Sequence, residues 1–356
     1  MNTVKSLIFA QDINKLNNSF LKEICEELNT ETTGTSNELT GRILSNFARL
    51  EGDLLHKIEQ IIFTGATSLA WYKAVNETGL NDFKKRLISK LPYNPFEDVL
   101  RDYTQVGSEP VVIGAAEIPD KNAFYLRFIY RSSVNINYII SEATTSSRYD
   151  LVTVVVDLDK NALEIRASSK VAKKINNYIA DLVNEFGYQF KQYNFLENFD
   201  NKLEEIADTL KGQLIDAQGK PNGNTSTIDQ EKGEALVSIL SAIDSYYGEG
   251  EISLIEQRLE NEEVREILET TPFTVLLLSG LEKIGLASIR ELRGLPLYDY
   301  LDQYLKKEKG LIVFNYVLNG TVEEYSVKIG MNTKTFKFNV CVQEEVLEYI
   351  RSIFVH

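Results

Sequence analysis

Few side chains in this 356-residue sequence have the type and spacing that covalent chemistry needs. The chain has two histidines, His56 and His356, so a Ser/His/Asp triad or an imidazole-based metal site has almost no material. No Gly-x-Ser-x-Gly elbow, P-loop or Gly-x-Gly-x-x-Gly turn is present. What remains is Asp157 with Glu164-Ile165-Arg166, which imitates the order of a Mg²⁺-dependent nuclease: two carboxylates for the metal and a cation to steady the attacking water. Here arginine stands where lysine is wanted. Its guanidinium cannot lose a proton and holds water less well than a compact ammonium. Both acids also flank a predicted hairpin, whose outward positions are commonly charged. The sequence therefore predicts a non-enzymatic protein without cofactor or metal, with the nuclease as a third reading.

A second kind of chemistry, phosphate binding, has more candidates. In the stretch LKEICEELNTETTGTSNELTGRIL, residues 21 to 44, apolar residues recur at Leu21, Ile24, Cys25 and Leu28, and again at Leu39, Ile43, Leu44 and Phe47. This spacing predicts two helices, the second capped by Thr35 or Ser36. Gly34 lies where the chain turns into the second helix, a place where positive φ is cheap only for glycine. Leu21 to Leu28, Thr33-Gly34-Thr35, Glu38-Leu39 and Arg42-Ile43 resemble the SAP motif, a helix-extended-helix unit that binds DNA in its family. The resemblance covers about thirty residues and implies that Gly34, Thr35, Ser36 and Arg42 face a phosphate backbone. Ser36 stands where the family usually has lysine, and a serine at a helix N-terminus can still hold a phosphate.

Two basic clusters extend that expectation. FKKRLISK, residues 83 to 90, offers Lys84 and Lys85, and the helix predicted from Ser169 begins with Lys170, Lys173 and Lys174, near which Arg127, Arg131 and Arg148 are expected. A solvated helix face is the plainer meaning of such clusters. LEKIGLASIRELRGLPLYDYL, residues 281 to 301, has the outline of a helix-hairpin-helix, with a turn at Gly285 and with Arg290 and Arg293 in range of phosphate.

The elements that must position these residues follow from periodicity and charge. Residues 1–100 carry 11 Lys/Arg against 13 Asp/Glu, residues 101–187 carry 10 against 11, and residues 188–356 carry 17 against 28. The resulting −2, −1 and −11 place any nucleic-acid contact in the first half, since phosphate attraction dominates non-specific binding. Helical spacing fills residues 1–100, including helices predicted at 53–63, 67–76 and 80–91. From Val111 the period becomes two, with strands at 124–131 and a hairpin over 150–168. Residues 217–233, rich in Gly, Pro, Asn and Ser, read as a flexible linker. Beyond it helices are predicted at 235–246, 252–269 and 274–283, near Ser288 and from Tyr298 to Lys306, before more strands and a last helix at 343–354.

Leu163 and Ile165 followed by Ile175, Ile179 and Leu182 align with Phe336 and Phe338 followed by Val346, Ile350 and Ile353. The alignment suggests a duplicated β-β-β-α module, although strand-turn-strand-helix is common enough to arise twice independently. The fold expected is α+β: a helical N-terminal domain (1–100), a central β-β-β-α module with trailing helices (101–216), the linker (217–233), and an acidic helical region ending in a second module (234–356). The apolar runs are too short for a transmembrane helix, the N-terminus lacks a secretory pattern, and Cys25 and Cys341 on apolar faces suit a reducing cytoplasm. The function expected is a nucleic-acid-associated accessory protein that meets DNA through the N-terminal and central basic faces and protein partners through its acidic half. The alternative is an assembly or scaffold subunit, completed by self-association or by another protein, with no nucleic-acid contact and no membrane partner.

Overall fold

The computed structural model describes residues 2–64, 68–76, 79–100, 102–103, 106–139, 142–221, 273–279, 283–288, 291–294, 298–299, 302, 305–318 and 320–356. In chain order its elements are α1 (Ala10–Asn14), α2 (Asn18–Glu27), α3 (Ser36–Ser45), α4 (Gly52–Phe63), β1 (Ser68–Ala74), α5 (Phe83–Lys90), β2 (Val111–Glu117), β3 (Ala123–Ile139), β4 (Glu142–Asp157), β5 (Ala162–Arg166), α6 (Ser169–Val183) and β6 (Phe190–Gln192). They continue with α7 (Leu203–Thr209), β7 (Gln213–Pro221), β8 (Phe273–Ser279), β9 (Lys283–Ser288), β10 (Leu305–Leu318), β11 (Thr321–Gly330), β12 (Thr335–Phe338) and α8 (Glu344–Phe354). Contacts divide the chain into two compact units, Met1–Phe195 with Lys334–His356, and Leu196–Thr333.

The first unit is built on an antiparallel sheet in the order β2-β3-β4-β5-β1-β12, with β6 also on β1. Alternation along the strands sends two sets of side chains to opposite faces. Phe124, Leu126, Phe128, Val152, Val154, Val156, Leu163 and Ile165 meet α5 and α6 through Phe83, Leu87, Ala172, Ile175 and Ile179. On the other face Tyr125 and Val155 pack under α1 to α4 through Ile13, Leu21, Ile24, Leu39, Ile43 and Ile58. The C-terminal α8 lies on that same second face, where the Phe354 ring is 4.7 Å from Phe336 and Arg351 reaches Glu164.

This arrangement overturns the expected helical N-terminal domain. Residues 67–76, predicted as a helix, contain β1, which pairs with both β5 and β12. Leu69-Ala70-Trp71-Tyr72 is buried on both sides, so it reads as one continuous apolar run, and periodicity alone cannot separate a central strand from a buried helix. Trp71 and Tyr72 are therefore a strand pair whose rings point to opposite faces. The helices of residues 10–63 form a layer against the first unit's sheet, whose strands β1 to β6 and β12 come from residues 68–192 and 335–338.

The second unit holds β11-β10-β7-β9-β8 in antiparallel order, with α7 packed on β7 and β10. Gly310 permits that packing, since a Cβ there would meet Leu203 Cδ1 at 2.5 Å. The second β-β-β-α module is not a self-contained repeat: its strands β10 and β11 belong to this unit, whereas β12 and α8 belong to the first. The helix predicted over 274–283 is replaced by β8, and the stretch near Ser288 is β9. Gly285 sits inside β9, paired with Gln218 and Leu277, so no helix-hairpin-helix forms there. Arg293 is held by Glu291, Asp208 and the Gly212 carbonyl, and Arg290 lies outside the described residues. The predicted linker begins within β7, and residues 222–272, including the helices predicted at 235–246 and 252–269, also lie outside them.

Candidate interaction site

The eight residues expected to meet phosphate fall into two groups on opposite faces of the first unit's sheet. Gly34 (φ +123°), Thr35 and Ser36 lead into α3, where the Thr35 hydroxyl accepts from the Glu38 backbone N–H and Glu38 accepts from the Thr35 N–H at 2.7 Å. That capping box sets a carboxylate against the helix N-terminus, where a phosphate would otherwise bind. Arg42 is turned back on the hairpin, donating to the Glu31 and Thr33 carbonyls and pairing with the Glu31 carboxylate at 3.0 Å. Across the sheet, α5 and α6 pack side by side and carry Lys84, Lys85, Lys170 and Lys174. Lys84 pairs with Glu117 and lies over the Phe96 ring, Lys174 pairs with Glu109 at 3.6 Å, and Lys85 and Lys170 are exposed. Arg127, expected near this patch, is buried on the opposite face. Cys25 is buried as expected, while Cys341 is exposed.

The nuclease-like residues lie in a belt of buried charge. Strand register lines up Tyr125, Val155, Glu164 and Trp71 in one row and Arg127, Thr153 and Arg166 in the next, all facing α1 to α4 and α8. Glu164, 2% exposed, accepts from Trp71 Nε1 (2.9 Å), Arg166 Nε (2.9 Å), and Arg351 Nε and Nη2 (2.8 and 2.9 Å). Burial would push its carboxyl up, but Arg351 and Arg166 outweigh burial and hold it at about 2. Glu344 closes the network with Arg166 (2.8 Å) and Arg351 (3.2 Å) and is likewise held low against burial. Two carboxylates meet two guanidiniums, so the charges balance. Both oxygens of Glu164 are taken by donors, and the Asp157 carboxylate accepts from the Lys160 backbone N–H at 2.9 Å. Arg127 donates to Asp12 (2.6 and 2.7 Å) and Thr153 Oγ1 (2.6 Å). Among the described residues no group of His, Cys, Asp and Glu is placed to hold a metal ion.

The surface left open lies elsewhere, on the hairpin of β3 and β4. β2 pairs β3 only as far as Ile129, and β5 pairs β4 only from Thr153 to Asp157, yet β3 and β4 continue together to Ile139 and Glu142. Residues 132–139 and 142–148 are thus a two-stranded arm beyond the sheet. A bulge between Arg131 and Ser133 adds one residue to β3. It shifts the alternation, so Val134, Ile136 and Tyr138 join Ile129 and Tyr149 on the α1 side. These three side chains are 46%, 52% and 77% exposed. At the arm's base, on the same face, a groove of about 720 Å³ is walled by Phe9, Leu100, Tyr103, Ile113, Tyr149 and Leu151, with Glu97 and Asp98 at its rim. Gln11 Nε2 donates to the Tyr149 carbonyl and fixes the floor at 2.5 Å. The groove and the exposed apolar side chains of the arm therefore share one face.

The strand expected at 124–131 ends before this arm. Its signal is present in SSVNINYI, where polar and apolar residues alternate, and in the run 132–147, which holds one charged residue, Glu142, in a chain of net charge −14. The fold and site define a sheet-rich protein of two units with an exposed β arm. No protein-family model and no curated protein sequence matches the chain. No helix among the described residues is long and apolar enough to cross a membrane.

Proposed function

We propose that the protein is a non-enzymatic assembly subunit that engages protein through the β3–β4 arm and the groove at its base. The observation that carries this reading is the uncharged, apolar arm face on a strongly acidic chain: such a surface gains from burial against protein and offers nothing to phosphate. The free thiols Cys25 and Cys341 suit work in the cytoplasm. A nucleic-acid role through α5 and α6 is the second reading, favoured by the meeting of Lys85 and Lys170 on one helical layer. It is the weaker one, because Lys84, Lys90 and Lys174 are each paired with a glutamate, leaving few counterions to release.

Two measurements separate the readings. A photo-crosslinking amino acid at position 136 is expected to give protein adducts in the source cells, and the same group at position 85 to give none. Fluorescence anisotropy of labelled DNA and RNA at low salt is expected to show no binding. Salt-sensitive binding that Lys85→Ala/Lys170→Ala weakens, with no adduct at position 136, refutes the assembly reading in favour of the nucleic-acid one.

A further inference from the structure

Alternate N–H and C=O groups of a strand point sideways, so the outer edge of a ribbon is a template for another strand. On the β2 side of β3, the Arg131 N–H still donates to the Gly107 carbonyl at 2.8 Å, and from Ser133 outward β3 pairs, among the described residues, with β4 alone. Proteins commonly guard such an edge with lysine, proline or an inward charge, and residues 132–139 contain none of these.

Charge and register choose the occupant. Two copies of a chain of net charge −14 repel wherever their acidic surfaces approach, and the arm, residues 132–148, carries only Glu142 and Arg148, charges of opposite sign, in seventeen residues. Antiparallel pairing of identical strands is two-fold symmetric by construction. With the axis at Ile136, Ile136 faces its own copy and Val134 faces Tyr138 twice, all on the face of the exposed apolar side chains. Apolar therefore meets apolar at all three of these positions. The edge of β4 carries Ala143, Thr145 and Ser147 at the matching places and offers no such surface.

We propose that the protein forms a two-fold symmetric dimer in which the β3 edges of two arms pair antiparallel about Ile136, joining the arms into one four-stranded ribbon. The proposal rests on the assembly reading and names its partner as a second copy of this chain. The register also brings the second copy's Tyr138 beside Val134, next outward from the groove wall. Residues 133–139 give about 23 Å of shared edge at ~3.3 Å per residue, so the dimer forms with rising concentration rather than obligately.

Sedimentation velocity over a concentration series tests it. Wild type is expected to move from 40.4 kDa toward twice that mass, with the midpoint raised at least about tenfold by Ile136→Lys or Tyr138→Lys and unmoved by Val322→Lys, a change at an exposed valine of the β10–β11 hairpin. Register is read separately in a Cys341→Ser background under mild oxidation. Ile136→Cys is expected to give a covalent dimer, and Tyr138→Cys alone to give none, because it faces Val134. A wild type that stays monomeric overturns the proposal, as does a dimer indifferent to Ile136→Lys and Tyr138→Lys, or one that crosslinks through position 138 and not 136. If the protein is monomeric yet position 136 crosslinks to a different protein, the dimer falls and the assembly reading stands; if it crosslinks to nothing, both fall.

Discussion

Replacing Arg351 with methionine isolates the physics of the buried belt. The wild-type network balances Glu164 and Glu344 against Arg166 and Arg351, and the variant leaves two carboxylates with one guanidinium at a site where Glu164 is 2% exposed. Glu164 loses two of its four donors. Breaking a buried pair on one side costs about 3–5 kcal/mol, a large share of the 5–15 kcal/mol that holds a typical protein folded. Urea unfolding is the assay, and the protein supplies its own probe: Trp71 is the chain's one tryptophan and its Nε1 donates to Glu164. At a slope of roughly 1–3 kcal/mol per molar urea, the midpoint is expected to fall by about 1–5 M.

The pH dependence follows from the same charges. In the wild type the Glu164 carboxyl is held at about 2 against an ordinary 4.5, so its contribution is present above 4.5 and is lost as pH falls toward 2. In the variant the surplus negative charge raises a carboxyl in the folded state, so protonation favours folding. The gap between variant and wild type is therefore expected to narrow as pH drops below 4.5 and to be widest near neutrality. Glu164→Gln/Arg351→Met, which leaves Arg166 and Glu344 balanced, is expected to recover part of the loss. A cost below about 1 kcal/mol at pH 7, or one that does not change with pH, refutes the account of a desolvated, mutually neutralised network.

Three further outcomes are expected. Arg127→Met strands Asp12 in the core and costs about 3–5 kcal/mol by the same urea assay, whereas Asp12→Leu/Arg127→Met is much closer to wild type. Gly34→Ala forces a φ of +123° on a residue with a Cβ and brings that atom to 2.7 Å from Glu38 Oε2. It should destabilise more than Thr35→Ala, which removes a cap worth about 1 kcal/mol, in a thermal melt of the two variants side by side. Cys341 is expected to react with a maleimide in the native state, increasingly so as pH rises because burial pushes its thiol up, while Cys25 reacts only after unfolding, as mass spectrometry of timed samples will show.

Much of the local structure was legible. The spacing of Leu21, Ile24, Cys25 and Leu28, the cap at Thr35, the hairpin over 150–168 and the helices at 169 and 344 follow from side-chain periodicity and turn chemistry, which act within a few residues. Strands apolar on both faces were not legible, and for that reason β1 and β8 read as helices. The phosphate candidates show the next limit: composition identified the lysines, but only the sheet decided that α3 and α5–α6 lie on opposite faces and that Arg42, Lys84 and Lys174 already have anionic partners.

By itself, then, the sequence determined where helices and hairpins start, how the charge is spread and which catalytic constellations lack material. Tertiary structure alone decided that Glu164 is a core residue whose two oxygens are taken by donors, because its partner Arg351 lies 187 residues away and a pairing at that distance leaves no periodic trace. It also decided that residues 132–139 run past β2, the described neighbour on that side of β3, which ends its pairing at Ile129.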